Sequence, residues 1–484
     1  MTNKSKPSWY AGNGLVLGVA IAIAAQAGGA EPRSPNKQGG RRSAAAAAPT
    51  TTVQPDAQPS AVAKESLRDA IVASLKQNPD IQIALAQQDD AKYGVNEARA
   101  AYLPRVDMTL ASGPEYVQPN AASDSLLQRR EGVLTIHQNL WDFGVTINDI
   151  KRANAAYASA RWGTRKKIEQ ISFEISSAYL GVLEKQKLVD LIGEEIETQA
   201  KMSKMIAVQK DLGLTTSADV SRAQVRQDNL QQLLLDAQSQ LQQQREAYRR
   251  LTGRLPDRAT DLPPVDSALP PNPDSAVDVI EQRNPDLAQA SQDRRSIERQ
   301  LASQKGNFFP RIGLDLQGNH RYEVMGRTGR ADDARAVVTI SYNLLNGGAD
   351  MALKRRIEAR LREADYQLLK VRRDVEQDLR VDFQSLKAAN EKMATIESQI
   401  DAAQKVVTLY REQFRSGQRS VFDLLDSQQA LFQAKQNQLS NYTQKQVSGL
   451  RVLQKMAELF RFVGGGEPPP LSTPAPIIVG VPAR

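Results

Sequence analysis

The chain has 484 residues, no cysteine, a formal net charge of +8 and only 5% aromatic residues. Without a thiol it holds no disulfide, no thiolate metal centre, no cysteine nucleophile and no lipid-modified amino-terminal cysteine. Its 63 basic residues are interspersed with 55 acidic ones, without dense basic runs or interleaved aromatics, which excludes a nucleic-acid footprint despite the positive balance.

Lys4 and Lys6 precede an apolar run from Leu15 to Ala25, which leads into Ala25-Gln26-Ala27. A basic start, a short apolar core and a small-x-small site read as a secretory signal peptide over 1–30, cleaved after Ala27 or Ala30. The apolar run falls short of the ~20 residues a membrane helix needs. Segments 31–63, rich in Pro, Ala, Thr and Gln, and 463–484, with Pro468-Pro469-Pro470, read as disordered.

Between these segments one pattern occurs twice. Asn78-Pro79-Asp80 returns as Asn284-Pro285-Asp286, and Leu103-Pro104-Arg105-Val106 as Phe309-Pro310-Arg311-Ile312, both displaced by 206 (284−78, 310−104). Val133-Leu134-Thr135-Ile136, Asn139-Leu140 and Gly144 return as Val337-Val338-Thr339-Ile340, Asn343-Leu344 and Gly348, displaced by 204 (348−144). Gly213, Asp219 and Gln224 match Gly417, Asp423 and Gln428 at the same displacement. A unit of this length is far longer than the period of a solenoid. We therefore divide the ordered chain into a first repeat, 64–253, a Pro-rich linker, 254–273, and a second repeat, 274–462.

Each repeat opens with a short helix, near 66–77 and 275–283, broken at Asn-Pro because the residue before proline disfavours the helical region. Pro79 and Pro285 then suit the first turn of a second helix. Pro104 and Pro310 end those helices. Beyond them the period becomes two: Val106, Met108 and Leu110 alternate with Arg105, Asp107 and Thr109, and Ile312, Leu314 and Leu316 with Arg311, Gly313 and Asp315. The alternation resumes with Leu134, Ile136 and Leu140 against Thr135, His137 and Asn139, and with Val338, Ile340 and Leu344 against Thr339, Ser341 and Asn343. Strands are expected at about 104–118, 131–142, 310–325 and 335–346. The chain offers no globular partner for their apolar faces, they have the length of tilted membrane strands, and the protein carries an export signal, so lipid is the expected partner. Single-chain membrane barrels begin at about eight strands, so four must be pooled with those of other subunits. Arg105, Asp107, Thr135, His137, Asn139, Arg311, Asp315 and Asn343 would then line the barrel lumen.

After Trp141-Asp142-Phe143-Gly144 and Leu345-Asn346-Gly347-Gly348 a helical pattern runs to about Lys210 and Phe414, which makes helices on the order of 100 Å long. Leu379, Leu386, Met393, Ile400, Val407 and Phe414 recur every seventh position, with Ala389, Ile396, Ala403 and Tyr410 as companions, the mark of a coiled-coil seam. Gly213 and Gly417 reverse the chain into return helices expected at about Ser217–Leu251 and Ser420–Phe462. No catalytic constellation is found: His137 lies on a strand's polar face, His320 is expected in a loop, and no glycine-rich phosphate loop follows a strand. Nor does the sequence carry a cofactor or metal motif. Gly326–Gly329, with Arg321, Arg327, Arg330 and Arg335 around it, reads as a basic loop at the barrel mouth.

Asn-Pro-Asp before the second helix, Tyr102-Leu103-Pro104, Asn343-Leu344-Leu345-Asn346-Gly347-Gly348 and Gly417-Gln418-Arg419-Ser420-Val421-Phe422-Asp423-Leu424-Leu425-Asp426 resemble the TolC family of outer-membrane channels over about 64–462. The resemblance implies a mainly α chain with four β-strands. Its tandem-duplicated antiparallel hairpins would form an α-barrel tunnel across the periplasm, and a homotrimer would share a twelve-stranded barrel in outer-membrane lipid. It implies that Asp423 and Asp426, at i, i+3 spacing, form a carboxylate ring at the periplasmic mouth, although acids in a first helical turn also stabilise the helix dipole. Arg419 matches a gating arginine and Asp219 an acidic partner. Phe414 stands where a gating tyrosine is expected and Ala218 where a hydroxyl is expected, so a weaker or differently built latch is expected. The tips Leu212, Gly213, Leu214, Ser416 and Gly417 match sites that meet a periplasmic adaptor serving an inner-membrane transporter. The missing lipid-anchor cysteine and the Gly417–Asp426 run favour type I protein secretion. The alternatives are a duct of a small-molecule efflux pump and, in another class, a periplasmic coiled-coil scaffold.

Overall fold

The structure, a computed structural model, describes residues 67–117, 125–256, 259–464 and 466; the expected signal peptide, the 31–63 segment and nearly all of the tail lie outside them. Helices α1 (Leu67–Gln77) and α2 (Pro79–Ala100) lead into strands β1 (Arg105–Val117) and β2 (Ser125–Trp141), then α3 (Val145–Asp211) and α4 (Ser217–Thr252). The order then repeats as α5 (Pro273–Arg283), α6 (Pro285–Gly306), β3 (Arg311–Tyr322), β4 (Arg330–Ser341), α7 (Ala349–Arg415) and α8 (Val421–Lys455), followed by a short α9 (Leu459–Gly464). At 67 residues each, α3 and α7 extend for about 100 Å. No described helix is long and apolar enough to cross a membrane.

The local causes of this layout occur in pairs. Asn78 and Asn284 take almost the same extended backbone (φ −68° and −63°), and their side chains accept from the N–H of Asp80 and Asp286, both at 2.9 Å, with proline at the first helical position. Each asparagine also donates its Nδ2 to a carbonyl at the end of a return helix, Leu251 at 3.5 Å and Lys455 at 2.8 Å. One residue type thus caps one helix and fastens it to another. At the hairpin reversals Gly213 and Gly417 adopt φ of +74° and +76°, and the bonds Leu214 N–H to Gln209 O and Gln418 N–H to Gln413 O close both Schellman turns.

The main core lies midway along the long helices. It joins Ile71 and Leu75 of α1, Ile81 of α2, Ile171, Ile175 and Leu180 of α3, Leu450 and Leu453 of α8, and Leu459 and Phe460 of α9. Here the last helix departs from expectation. It does not run unbroken to Phe462 but stops at Lys455, and Ala457 turns back at φ +57°. A left-handed alanine costs roughly 1–2 kcal/mol. Full burial of Leu459 and Phe460 against α1 and α3 offsets it, at about 1.5–3 kcal/mol per side chain.

The sheet is antiparallel with order β1-β2-β3-β4, so β1 and β4 are open edges. Its register aligns Arg105, His137 and Asp315 in one row and Val106, Ile136 and Leu316 in the next. β4 ends at Ser341, which leaves Asn343 outside the sheet, and β3 continues through His320, which is not in a loop. A bulge at Leu140, between the pairs Asn139–Gly313 and Trp141–Ile312, shifts the alternation so that Trp141 joins the apolar rows.

Glu169 of α3 is buried and accepts the N–H of Phe460 at 3.2 Å. Burial pushes its carboxyl from an ordinary value near 4.5 up to about 7, against the attraction of Arg165. Because the folded form then holds a proton that the unfolded form has released, stability falls as pH rises from about 4.5 to about 7 and is lowest above that window. The shift corresponds to about 3 kcal/mol. Glu169→Gln should remove that portion of the decline; equilibrium unfolding of both proteins across the window checks it.

Candidate functional site

Two regions carry the polar chemistry, the hairpin tips and the polar face of the sheet. At the first tip Thr216 caps α4 and forms a reciprocal capping box with Asp219. Bonds to Asp219 from the Thr216 hydroxyl, then the Thr216 backbone and the Thr215 hydroxyl, hold its carboxyl below the usual range. Leu212 and Leu214 flank Gly213 with 66% and 63% of their surface exposed, an apolar tip left uncovered among the described residues.

At the second tip Ser420 caps α8, and its hydroxyl donates to Asp423 at 2.8 Å. Arg419 packs over the Tyr410 ring at 4.2 Å, donates to Gln413 at 3.1 Å and lies 3.7 Å from Asp423. Asp426, one turn on, is exposed and has no ion pair among the described residues. Ser416 and Gly417 are exposed beside it.

Among the described residues of a single chain, Arg419 and Asp219 form no ion pair with each other. Each group is already satisfied by neighbours three to nine positions away in its own turn. The hairpins are joined instead by an apolar clasp. Phe414, 4% exposed, packs with Val421, Leu424 and Leu425 of its own hairpin and with Met202, Ile206 and Ala223 of the other. Arg222 of α4 stacks over Phe422 of α8 at 5.7 Å, and Gln428 donates to buried Glu195 of α3 at 2.8 Å. Burial raises the Glu195 pKa, with the Gln428 bond acting against it. The heptad spacing had already put Phe414 on the seam; nothing in the sequence marked Glu195 as its polar neighbour.

On the sheet, Arg105, Asp107, Thr135, His137, Arg311 and Asp315 occupy one face by register. His137 Nδ1 lies 2.7 Å from Asp315, which also accepts from Thr339 at 2.8 Å. Nearer the strand loops on the same face, a chain of opposite charges crosses all four strands, from Glu115 through Arg129 and Glu131 to Arg321 and Asp333. Asn139 shares the parity, but its amide is tied to Asp142 at 3.0 Å and Thr146 at 3.3 Å. Asn343, beyond β4, donates to Asp350 at 3.4 Å. Both asparagines thus brace the junctions into α3 and α7. No cluster among the described residues has the makeup of a metal site.

A model of the outer membrane efflux protein family matches residues 70–254 and 276–457. Outer membrane efflux protein BepC of Brucella suis is 22% identical, over 77% of this chain and 80% of that protein. Alkaline protease secretion protein AprF of Pseudomonas aeruginosa is 23% identical, with the same two coverages of 77% and 80%. The crystal structure of the outer membrane protein VceC from Vibrio cholerae superposes with a TM-score of 0.71 at 18% identity, covering 83% of this chain and 96% of that one.

The clasp predicts unequal sensitivities at the tips. Phe414→Ala should cost about 3–5 kcal/mol of unfolding free energy, as for a large buried aromatic, whereas Arg419→Ala, at an exposed pair, should stay within about 1 kcal/mol. Denaturant unfolding of the two variants checks the ranking.

Proposed function

The chain belongs to the outer membrane efflux protein family, the TolC-type channels its motifs resemble, and we propose that three copies close one channel-tunnel. The observation that carries this reading is the open, two-faced sheet. Val106, Met108, Leu110, Val338 and Ile340 are 59–71% exposed on one face, and both edge strands lack a partner. An edge of unpaired N–H and C=O groups is not tolerated in hydrocarbon. Joining β4 of one copy to β1 of the next satisfies both edges, and three copies give twelve strands. The helices support the same assembly. In a single chain α3 is flanked by α2, α4, α6 and α8, whereas α7 packs on α6, α8 and α5 and leaves Tyr366, Val381 and Leu409 exposed. A neighbouring copy would cover that stripe.

In this reading the apolar rows meet outer-membrane lipid and the rows of Arg105, Asp107, Thr135, His137, Arg311 and Asp315 line the lumen. The hairpins extend through the periplasm, where the Leu212–Leu214 and Ser416–Gly417 tips dock an adaptor that couples the duct to an inner-membrane transporter. Asp423 and Asp426 from three copies form a ring of six carboxylates at the mouth, and the Phe414 clasp keeps the two hairpins of each copy together. Substrate passes through by diffusion along a wet, charge-balanced wall; the driving energy comes from the transporter.

We assign the duct to type I protein secretion, supported by the Gly417–Asp426 run and by similarity to a relative whose name is alkaline protease secretion protein. Small-molecule efflux is the second reading, supported by similarity to BepC, an outer membrane efflux protein. Copurification of the partner transporter separates them: a protein-exporting ATP-driven transporter supports the first, a proton-driven drug pump the second.

Ile136→Arg should cost about 2–4 kcal/mol and reduce membrane assembly, whereas His137→Arg should mainly change conductance; equal tolerance at the two sites overturns the assignment of faces. In planar bilayers the Asp423→Ala/Asp426→Ala channel should lose cation preference and block by a trivalent cation, with folding changed by about 0.3–1 kcal/mol per site. A double variant that keeps the parent's preference and block removes the carboxylate ring from the proposal.

A further inference from the structure

The basic loop region, which the channel reading leaves without a role, is sorted by the sheet register into two populations. Arg129 and Arg321 share the parity of His137 and Asp315, and both are neutralised there, Arg129 by Glu115 and Glu131, Arg321 by Glu131 and Asp333. Arg130 and Arg330 have the opposite parity, that of Ile136 and Leu316. The register sets Ser112, Arg130, Tyr322 and Arg330 in one row across the four strands. Neighbouring strands are about 4.8 Å apart, so the two arginines flank Tyr322 at a separation of about 10 Å. Arg130 is exposed and has no ion pair among the described residues. Arg330 pairs with Asp332, which lies two rows away on the same face and is shared with His320 Nδ1 at 2.7 Å. Counted as formal charges the cluster is Arg130, Arg330 and Asp332, a net +1 per chain.

The position of this row matters as much as its charge. Tyr322 stands ten residues beyond Ile312, the start of the apolar rows (322−312). At about 3.4 Å per residue and a tilt near 40°, that is a rise of about 25 Å, the height of a barrel's lipid-facing band. Tyr322 is 41% exposed and Tyr116, of the same parity on β1, is 58% exposed, the residue type that marks a membrane–water boundary. Arginine recognises phosphate oxygens in a bidentate manner, and a tyrosine between two arginines provides an apolar body with a polar tip at the same depth.

We propose that the row of Arg130, Tyr322 and Arg330 is a binding surface for phosphorylated headgroups of outer-leaflet lipid. It fixes the depth and rotation of the sheet, while the neutralised inner row keeps the lumen from attracting the same lipids. The inference rests on the membrane-spanning reading of the sheet, so its test separates the two. The full chain in detergent is titrated with a diphosphorylated glycolipid and with its dephosphorylated form, and bound lipid is counted by native mass spectrometry; in parallel, flotation with vesicles reports insertion. The wild type should bind the phosphorylated form about 10- to 30-fold more tightly, since each surface arginine near anionic lipid contributes roughly a few-fold. R130Q/R330Q should lose that preference, R130K/R330K should keep most of it, and R129Q should leave it intact. An unchanged preference in R130Q/R330Q, an equal loss in R129Q, or no phosphate preference in the wild type overturns the inference while insertion stands. Failure of the wild type to float with vesicles overturns both.

Discussion

Backbone N–H and C=O groups inside a bilayer have no water to bond, so a sheet placed there must meet another strand at each edge. In this chain β1 and β4 are open, and the face they share with β2 and β3 is apolar where soluble sheets are covered by a helix or a second sheet. No described helix lies across that face. A single copy therefore leaves two costs unmet, unpaired edges and wet apolar rows, and the proposed assembly answers both with one operation. The same operation accounts for the uneven helices: α3 is enclosed within its own chain, while α7 presents its uncovered side where the next copy would stand.

The hairpin tips show how an expected polar latch is replaced. An exposed ion pair contributes about 0–1 kcal/mol, whereas each fully buried large apolar side chain contributes about 1.5–3 kcal/mol. With Phe414 where a tyrosine is expected and Ala218 where a hydroxyl is expected, the join between the hairpins within one chain is apolar and lies inward, among Met202, Ile206, Leu424 and Leu425. Arg419 and Asp219 are left to stabilise their own turns. Under the proposed assembly, the two hairpins of one copy move together and opening is a matter of contacts between copies, where Asp426 stands exposed with no ion pair among the described residues.

Much of this was legible in the sequence because its causes are local. Asn-Pro caps, glycines in left-handed turns and the alternation of strand residues are each set by a few consecutive residues, and they mark the order of the long helices and the four strands, although β2 begins at Ser125 rather than near 131 and β4 runs over Arg330–Ser341 rather than about 335–346. The misses have tertiary causes. Nothing in Lys455-Met456-Ala457-Glu458 announces a helix end; the chain turns there because Leu459 and Phe460 find a core contributed by α1 and α3. His320 was expected in a loop because polar residues follow Leu316, yet pairing with Gly132 and Asp332 carries β3 past it. The gate carboxylates and the adaptor tips rest on the resemblance and stand as proposals.

The strands also show why register, rather than composition, decides what a charged segment does. Adjacent residues Arg129 and Arg130 are chemically identical, and the period of two sends one to a row of carboxylates and the other to the face that continues Leu134 and Ile136. The inner arginines are neutralised because Glu115, Glu131 and Asp333 share their face within two positions along the strands. Leaving the outer one unpaired would weaken a solvent-facing sheet through charge repulsion with Arg330 across Tyr322. At the boundary of a lipid band with anionic headgroups, the same arrangement is favourable. Under the proposed assembly, the two faces of the strands, apolar against polar in the middle and Arg130 against the paired Arg129 at the end, would follow one membrane profile.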